Sequence, residues 1–307
     1  MTEMTLAEFT LACPLCHQPW PRPHQSPLIC PKDGITFTQG EGIWRFLLPE
    51  RATYLAQFMQ EYAQVRQAEG WGTPDPAYYR ALPFQDISGR YPDIWHIRAQ
   101  SYRSLQQHLL PPGTRPQQIL DLGAGNGWLA YRLSQAGHQV AAIDLMTNNI
   151  DGLGTHQHYD TPYLPLQAEF DHLPLADAQA DLAIFNGSFH YATHYEQTLR
   201  EILRILRPRG RIVIMDSPVY RDAHSGQQMV QEREQAFARQ HGFRGNALPN
   251  ENYLTHQRLA ELAAALSIQW HIRKPFYGWR WAVRPWLARL RGRREPASFY
   301  LLIGTRQ

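Results

Sequence analysis

Ile119-Leu120-Asp121-Leu122-Gly123-Ala124-Gly125-Asn126-Gly127 is the stretch on which the fold turns. A short apolar strand runs straight into G-x-G-x-G, and a helical stretch at 128–135 follows. Glycines at such a junction let the backbone turn sharply and approach a ligand with no Cβ in the way. About 20 residues on, Ile143-Asp144 ends the next apolar run. An acid there can accept hydrogen bonds from both ribose hydroxyls of a nucleoside.

Outward from that loop, apolar runs at 118–122, 139–144, 164–168, 181–186 and 211–215 alternate with helical stretches, clearest at 128–135 and 195–206. Buried strands separated by amphipathic helices predict an α/β fold with a parallel, Rossmann-like sheet and right-handed crossovers. The runs 268–273 and 299–304 read as two final strands.

Both NAD and S-adenosylmethionine suit such a loop, and the spacing separates them. A dinucleotide fingerprint places its third glycine three past the second. Here Gly127 stands two past Gly125, and Trp128 takes the fingerprint position. Asp121, at the loop entrance, can orient the loop or a ligand's amino group. It would repel a pyrophosphate, whereas a cationic sulfonium amino acid tolerates it, so the methyl donor is favoured.

Asp121 to Gly127, D-L-G-A-G-N-G, resembles the first motif of class I S-adenosylmethionine-dependent methyltransferases, and the likeness continues through most of 118–307. Ala168-Glu169-Phe170-Asp171-His172-Leu173-Pro174-Leu175 resembles the family's segment after its third strand. That resemblance puts Glu169 at the adenine amino group and Phe170 on the ring. Residues 180–186, ADLAIFN, resemble the fourth motif, and 203–210, LRILRPRG, resemble the run before strand five, departing at Arg209 where the family commonly has Gly. The resemblance implies an antiparallel last strand and S-adenosyl-L-methionine as cofactor. It implies a cofactor site of Asp121, Gly123, Ala124, Gly125, Asn126, Asp144, Leu145, Glu169, Phe170 and Asn186.

All three cysteines, Cys13, Cys16 and Cys30, fall in the first thirty residues. An odd number at one end is no disulfide framework. Cys13-Pro-Leu-Cys16 is a C-x-x-C knuckle, and Cys30-Pro-Lys-Asp33 repeats its shape with Asp in the fourth place. Such a set suits tetrahedral, structural Zn2+, with His17 and His24 as rivals to Asp33 for the fourth ligand. Cys13 to Pro19 is similar to the zinc-binding start of bacterial ribosomal RNA guanine-N1 methyltransferases. The match breaks at Gly34, where that family has a histidine, so the ligands carried over are Cys13, Cys16 and Cys30 alone.

The chain divides on this reading into a zinc-ribbon-like module at 1–48, a helical lid at 49–115 and a class I methyltransferase domain at 116–307, with insertions at 217–254 and 277–295. The lid comprises a helix at 51–67, a Gly/Pro/aromatic loop at 70–92 and a second helix at 93–110. Aromatic residues Trp71, Tyr78, Tyr79, Phe84 and Trp95 are expected to close the acceptor pocket.

Residues just after strand four usually face the line of methyl transfer, which makes His190 the candidate base or orienting group. Asp216, ending strand five, is the second candidate. Asn186-Gly187-Ser188-Phe189 lacks both prolines of the tetrad that nucleobase amino-methyltransferases carry, which lowers such a base as substrate.

At 307 residues and a mean hydropathy of −0.47, the chain has room for about two domains and a sizeable core. No run is long and apolar enough to span a bilayer. Residues 1–10 lack a basic leader, so a cytoplasmic location is expected. The net charge of +3 conceals six arginines at 280, 284, 289, 291, 293 and 294, without which the chain is mildly acidic. Interleaved with Trp279, Trp281, Trp286, Leu287 and Leu290, they resemble a segment seating aromatics at headgroup depth. The leading expectation is methyl transfer to a small, partly apolar acceptor, with peripheral contact to the inner face of a membrane through 279–294. The alternatives are ribosomal or transfer RNA methylation, and a cofactor-binding interaction module without turnover.

Overall fold

The computed structural model describes residues 9–245 and 247–306. Residues 1–8, on which the expectation of no leader partly rests, lie outside the described residues, as do Asn246 and Gln307. The chain begins with strands β1 (Leu28–Ile29), β2 (Thr36–Gly40) and β3 (Ile43–Arg45), then helices α1 (Pro49–Ala68), α2 (Pro76–Ala81) and α3 (Pro92–Leu109). The central unit runs β4 (Gln118–Leu122), α4 (Trp128–Gln135), β5 (Gln139–Asp144), β6 (Leu164–Gln167), β7 (Ala180–Asn186), α5 (Tyr195–Ile205) and β8 (Leu206–Met215). Beyond it come β9 (Val219–Tyr220), α6 (Ala223–His241), β10 (Leu254–Thr255), α7 (His256–Leu266), β11 (Ile268–Arg273), α8 (Trp279–Ala282), α9 (Arg284–Leu290) and β12 (Leu301–Arg306).

One ten-stranded sheet has the order β1-β2-β3-β6-β5-β4-β7-β8-β12-β11. From β3 to β8 every neighbouring pair is parallel, and β12 lies antiparallel between β8 and β11. This is the expected Rossmann-like α/β sheet. All five residues of β4 are buried, as a strand covered on both faces requires. The strand order reverses about β4, so the crevice at its carboxyl end is where an open parallel sheet takes a ligand.

The N-terminal ribbon is an extension of this sheet. Trp44 of β3 pairs with Leu166 of β6, and the Phe46 N–H donates to the Gln167 carbonyl at 2.8 Å. A fragment of ~40 residues buries too little to stand alone. Here Trp20, Phe37 and Phe46 pack edge to face and tilted, 5.2–6.1 Å apart, and join the core on one face of the sheet. The opposite face carries α2, α3 and α4.

Pro49 at the first turn starts α1 after extended Leu48. The expected loop at 70–92 contains α2, which the Asp75 carboxylate caps by accepting from Ala77 N at 2.9 Å. Tyr78 and Tyr79 on it are core residues, because the helix packs its aromatic side against residues 153–159, with Tyr79 stacked on His158 at 4.6 Å. The 217–254 insertion holds α6 and a small parallel sheet of β9 and β10. The 277–295 insertion forms α8 and α9. No helix among the described residues is long and apolar enough to cross a membrane.

Candidate cofactor and acceptor site

The loop after β4 holds three glycines in the left-handed region, Gly123 (φ 72°), Gly125 (φ 55°) and Gly127 (φ 72°). A Cβ on Gly123 would stand 2.4 Å from Cβ of Ser188, and one on Gly127 would stand 2.0 Å from the Tyr163 hydroxyl. Both positions therefore need glycine twice over, for dihedral angle and for space. The loop is tied to the end of β5 by N–H donors of Gly123 and Ala124, both meeting the Ile143 carbonyl at 2.8 and 3.0 Å. Asn126 is buried, and its carbonyl accepts from the Thr155 and Tyr159 hydroxyls at 2.8 and 2.7 Å.

Asp144 follows at once. One carboxylate oxygen accepts from Gly125 N and the other from Met146 N, each at 2.8 Å. Burial pushes its pKa up to about 6, against the lowering effect of those two bonds. Each oxygen keeps a lone pair for a further donor. Asp121 is fully buried beneath the loop and accepts from Ala130 N at 3.1 Å, fastening the start of α4. Burial raises its pKa to about 7.

A cleft of about 810 Å³, open mouth included, lies over this loop. Gly123, Gly125, Asp144, Leu145, Glu169 and Phe170 line it. Phe170 sets its ring edge-on to Phe185 at 5.3 Å. Glu169 is gripped by Arg51 of α1 through two contacts, Nε–Oε1 at 2.8 Å and Nη2–Oε2 at 2.7 Å, and His172 Nδ1 lies 3.0 Å from Oε1. Burial acts to raise its carboxyl, but His172 and Arg51 outweigh it and hold it below the usual range.

Asp121, Ala124, Asn126 and Asn186 do not reach the cleft lining; they shape the loop and the end of β7 from behind. At the end of β7 it is Gly187 and Ser188 that face the cleft, while Asn186 Oδ1 is buried without a partner among the described residues. The two candidate catalytic residues are also set back. His190 is buried, with Nδ1 3.2 Å from Ser217 Oγ, and burial together with Arg233 depresses its pKa to about 3. Asp216 takes the Ser101 hydroxyl on one oxygen, its other oxygen is buried with no partner among the described residues, and burial raises its carboxyl. Neither lines the cleft.

The roof comes from α1, whose Leu55, Phe58 and Tyr62 line the cleft at helical spacing, with Tyr191 beside them. These replace the expected aromatic set: Tyr78, Tyr79 and Trp95 are core, Trp71 is buried against Tyr91 in a 3.9 Å stack, and Phe84 is exposed. The helical spacing of 51–67 was the available signal. Ion pairs pin both ends of this helix, Arg51 to Glu169 and Arg66 to Asp151.

A second chamber of about 740 Å³, mouth included, opens between α1 and α6. It shares Phe58, Tyr62, Tyr191 and Leu248 with the cleft, so the two spaces meet at a common wall.

In the ribbon, Cys13, Cys16, Cys30 and Asp33 present four ligand atoms all within 4.8 Å of one another. Cys30 Sγ lies 3.2 Å from Asp33 Oδ2 and Cys16 Sγ 3.5 Å from Cys30 Sγ. Three thiols and a carboxylate so disposed fit tetrahedral zinc. His24 is occupied elsewhere, Nε2 accepting from Leu11 N at 3.3 Å, and His17 stands outside the cluster.

Residues 120–214 match the family described as "Methyltransferase domain". With the glycine loop, Asp144 and the sheet order, that match defines a class I S-adenosylmethionine-dependent methyltransferase domain, and S-adenosyl-L-methionine is its cofactor. The chain is similar to the malonyl-[acyl-carrier protein] O-methyltransferase of Pseudescherichia vulneris, 29% identical over 60% of this chain and 68% of that one. It is similar to the ubiquinone/menaquinone biosynthesis C-methyltransferase UbiE of Bartonella tribocorum, 28% identical over 37% of this chain and 46% of the relative. It thus spans about two thirds of the first and about half of the second. In fold it resembles the solved complex of the Haloferax volcanii Trm112 methyltransferase activator with a putative methyltransferase, with a TM-score of 0.50 at 16% identity, covering 81% of this chain and 96% of that one.

Proposed function

We propose that this protein transfers a methyl group from S-adenosylmethionine to a small, partly apolar acceptor held between α1 and α6. The observation that carries this reading is the wall shared by the cleft and the aromatic chamber, formed by Phe58, Tyr62, Tyr191 and Leu248. The cofactor supplies an electrophilic methyl on a sulfonium. Asp144 would hold the ribose hydroxyls on its free lone pairs, and Glu169 and Phe170 would meet the adenine. Leu55, Phe58 and Tyr62 exclude water from above and confine the acceptor, so that binding energy is spent on alignment. His190 and Asp216 act as positioning residues on this reading, holding the segments after β7 and β8. Zinc on Cys13, Cys16, Cys30 and Asp33 would be structural. The relatives named above are a malonyl-[acyl-carrier protein] O-methyltransferase and a ubiquinone/menaquinone biosynthesis C-methyltransferase, neither of them named for a nucleic acid.

The acceptor is taken up in the cytoplasm, at an anionic membrane surface. Trp279, Val283, Trp286 and Leu290 recur at spacings of one helical turn along α8 and α9 and are 78%, 43%, 64% and 64% exposed. On the inner side, Arg284 stacks on Trp281 at 3.4 Å and Trp281 packs on Phe299, which anchors the segment to the body. From Arg273 to Arg294 there is no acid, so the outward apolar stripe lies in a field of cations.

Incubation with labelled methyl donor and fractionated cell extract tests the activity: label is expected in lipid or small-molecule fractions. Label confined to RNA would establish the RNA reading instead, and cofactor binding without any labelled product would leave a non-catalytic module. Co-sedimentation with vesicles of phosphatidylglycerol is expected for the wild type and lost on replacing Trp279, Trp286 and Leu290 by Ser. Equal binding to purely zwitterionic vesicles would exclude the electrostatic part of the contact.

A further inference from the structure

Between α1 and α6, one charged side chain of the chamber lining, Arg233, has neither an ion pair nor a hydrogen bond among the described residues. Resting on the reading of the cleft as the cofactor's place, we infer that the chamber takes an amphiphilic acceptor whose head is an oxyanion, carboxylate or phosphate, seated on Arg233.

Arg233 and Phe237 stand one turn apart on the inner side of α6, facing Phe58, Tyr62 and Val65 of α1 across the chamber. The other charged groups of the lining have partners. Arg66 pairs with Asp151, Glu61 accepts from the Gln57 amide at 2.8 Å, and Glu69 accepts from the Trp71 indole at 2.7 Å. Arg233 makes no ion pair among the described residues, and its Nε is buried with no acceptor. One turn further, His241 Nε2 is also buried without a partner, its ring 5.6 Å from Phe237 and 5.9 Å from Phe243.

A guanidinium donor shut off from water and unpaired is costly, and an arriving oxyanion relieves that cost with a charge-assisted, often two-pronged bond. The aromatic walls on either side suit an apolar body. Because Arg233 lines the chamber and not the cleft, the head rests outside the cleft, and the reactive end is directed past the shared residues toward the cofactor.

Calorimetry on the protein loaded with S-adenosylhomocysteine tests this with octanoate, octyl phosphate and octanol. At least one of the two anions is expected to bind about tenfold tighter than octanol or better, and which one does separates carboxylate from phosphate. R233Q is expected to erase that preference while leaving octanol and S-adenosylhomocysteine affinities as they were, and R233K to restore part of it. Three probes of equal affinity for the wild type, absent binding included, would overturn the inference, as would a preference that survives R233Q. Failure of S-adenosylhomocysteine itself to bind would instead strike the cofactor reading, and the loading titration shows it first.

Discussion

On the proposed reading, Asp144 meets two demands that pull against each other: to sit under a loop away from water, and to be ionised for a sugar. Burial raises its pKa to about 6 while the N–H groups of Gly125 and Met146 favour the carboxylate. A raised carboxyl pKa means that the protonated form persists up to that pH, and a protonated acid has lost acceptor capacity. Affinity for S-adenosylhomocysteine is therefore expected to be full at neutral pH and to fall as pH drops through about 6. D144N should weaken binding by roughly 10- to 100-fold, as loss of bonds to a charged group does, and flatten that pH profile. Calorimetry across pH 5–8 reads both. Gly127→Ala meets the Tyr163 hydroxyl and a φ of 72°, and should destabilise the protein by about 2 kcal/mol or more, measurable by denaturant unfolding. Glycine and acid were legible in the sequence because their spacing follows from one strand-turn-helix unit. The burial of His190 and Asp216 was not, since a residue's place after a strand does not say which way its side chain turns.

At the scale of elements, α1 is the part that roofs the cleft. It buries only Leu55 and Val65 fully along its twenty residues, so its own packing holds it weakly. Its position depends on the Arg51–Glu169 and Arg66–Asp151 pairs. The second is largely shielded, and removing one partner of such a pair leaves an uncompensated charge. Asp151→Asn is expected to cost about 3 kcal/mol and to raise hydrogen exchange along α1 before that of the sheet. Unchanged exchange in α1 would show that the helix is held by something else. Periodicity disclosed this helix, as it did α4 and the strands β4, β5 and β11, whose bounds match the sequence reading. It did not disclose α2, whose six residues are too short for a period to register and whose cap lies in a run of Gly and Pro. Nor did it disclose Arg233, which looks like any charge on a polar helix until the facing side of α1 is known.

In the whole molecule, the ribbon and the cleft over the glycine loop are one construction. β3 hydrogen-bonds to β6, and the residues that follow β6 include Glu169 and Phe170. With zinc at the proposed Cys13, Cys16, Cys30 and Asp33 site, its removal by chelation, or replacing Cys13 by Ser, is expected to lower the melting temperature and to weaken S-adenosylhomocysteine binding together. A variant that melts earlier yet binds with full affinity would show that the two regions are uncoupled. The sheet order of the parallel core followed from alternating strands and helices. The attachment of β3 could not be read, because pairing between segments so far apart depends on which edge is left open after the rest has packed. The partner of β3 is made about 120 residues later in the chain. At a synthesis rate of about 5–20 residues per second, the nascent ribbon waits on the order of 10 s with an unpaired edge. During that interval an early-bound ion would keep the newborn strands from seeking a neighbour on another ribosome.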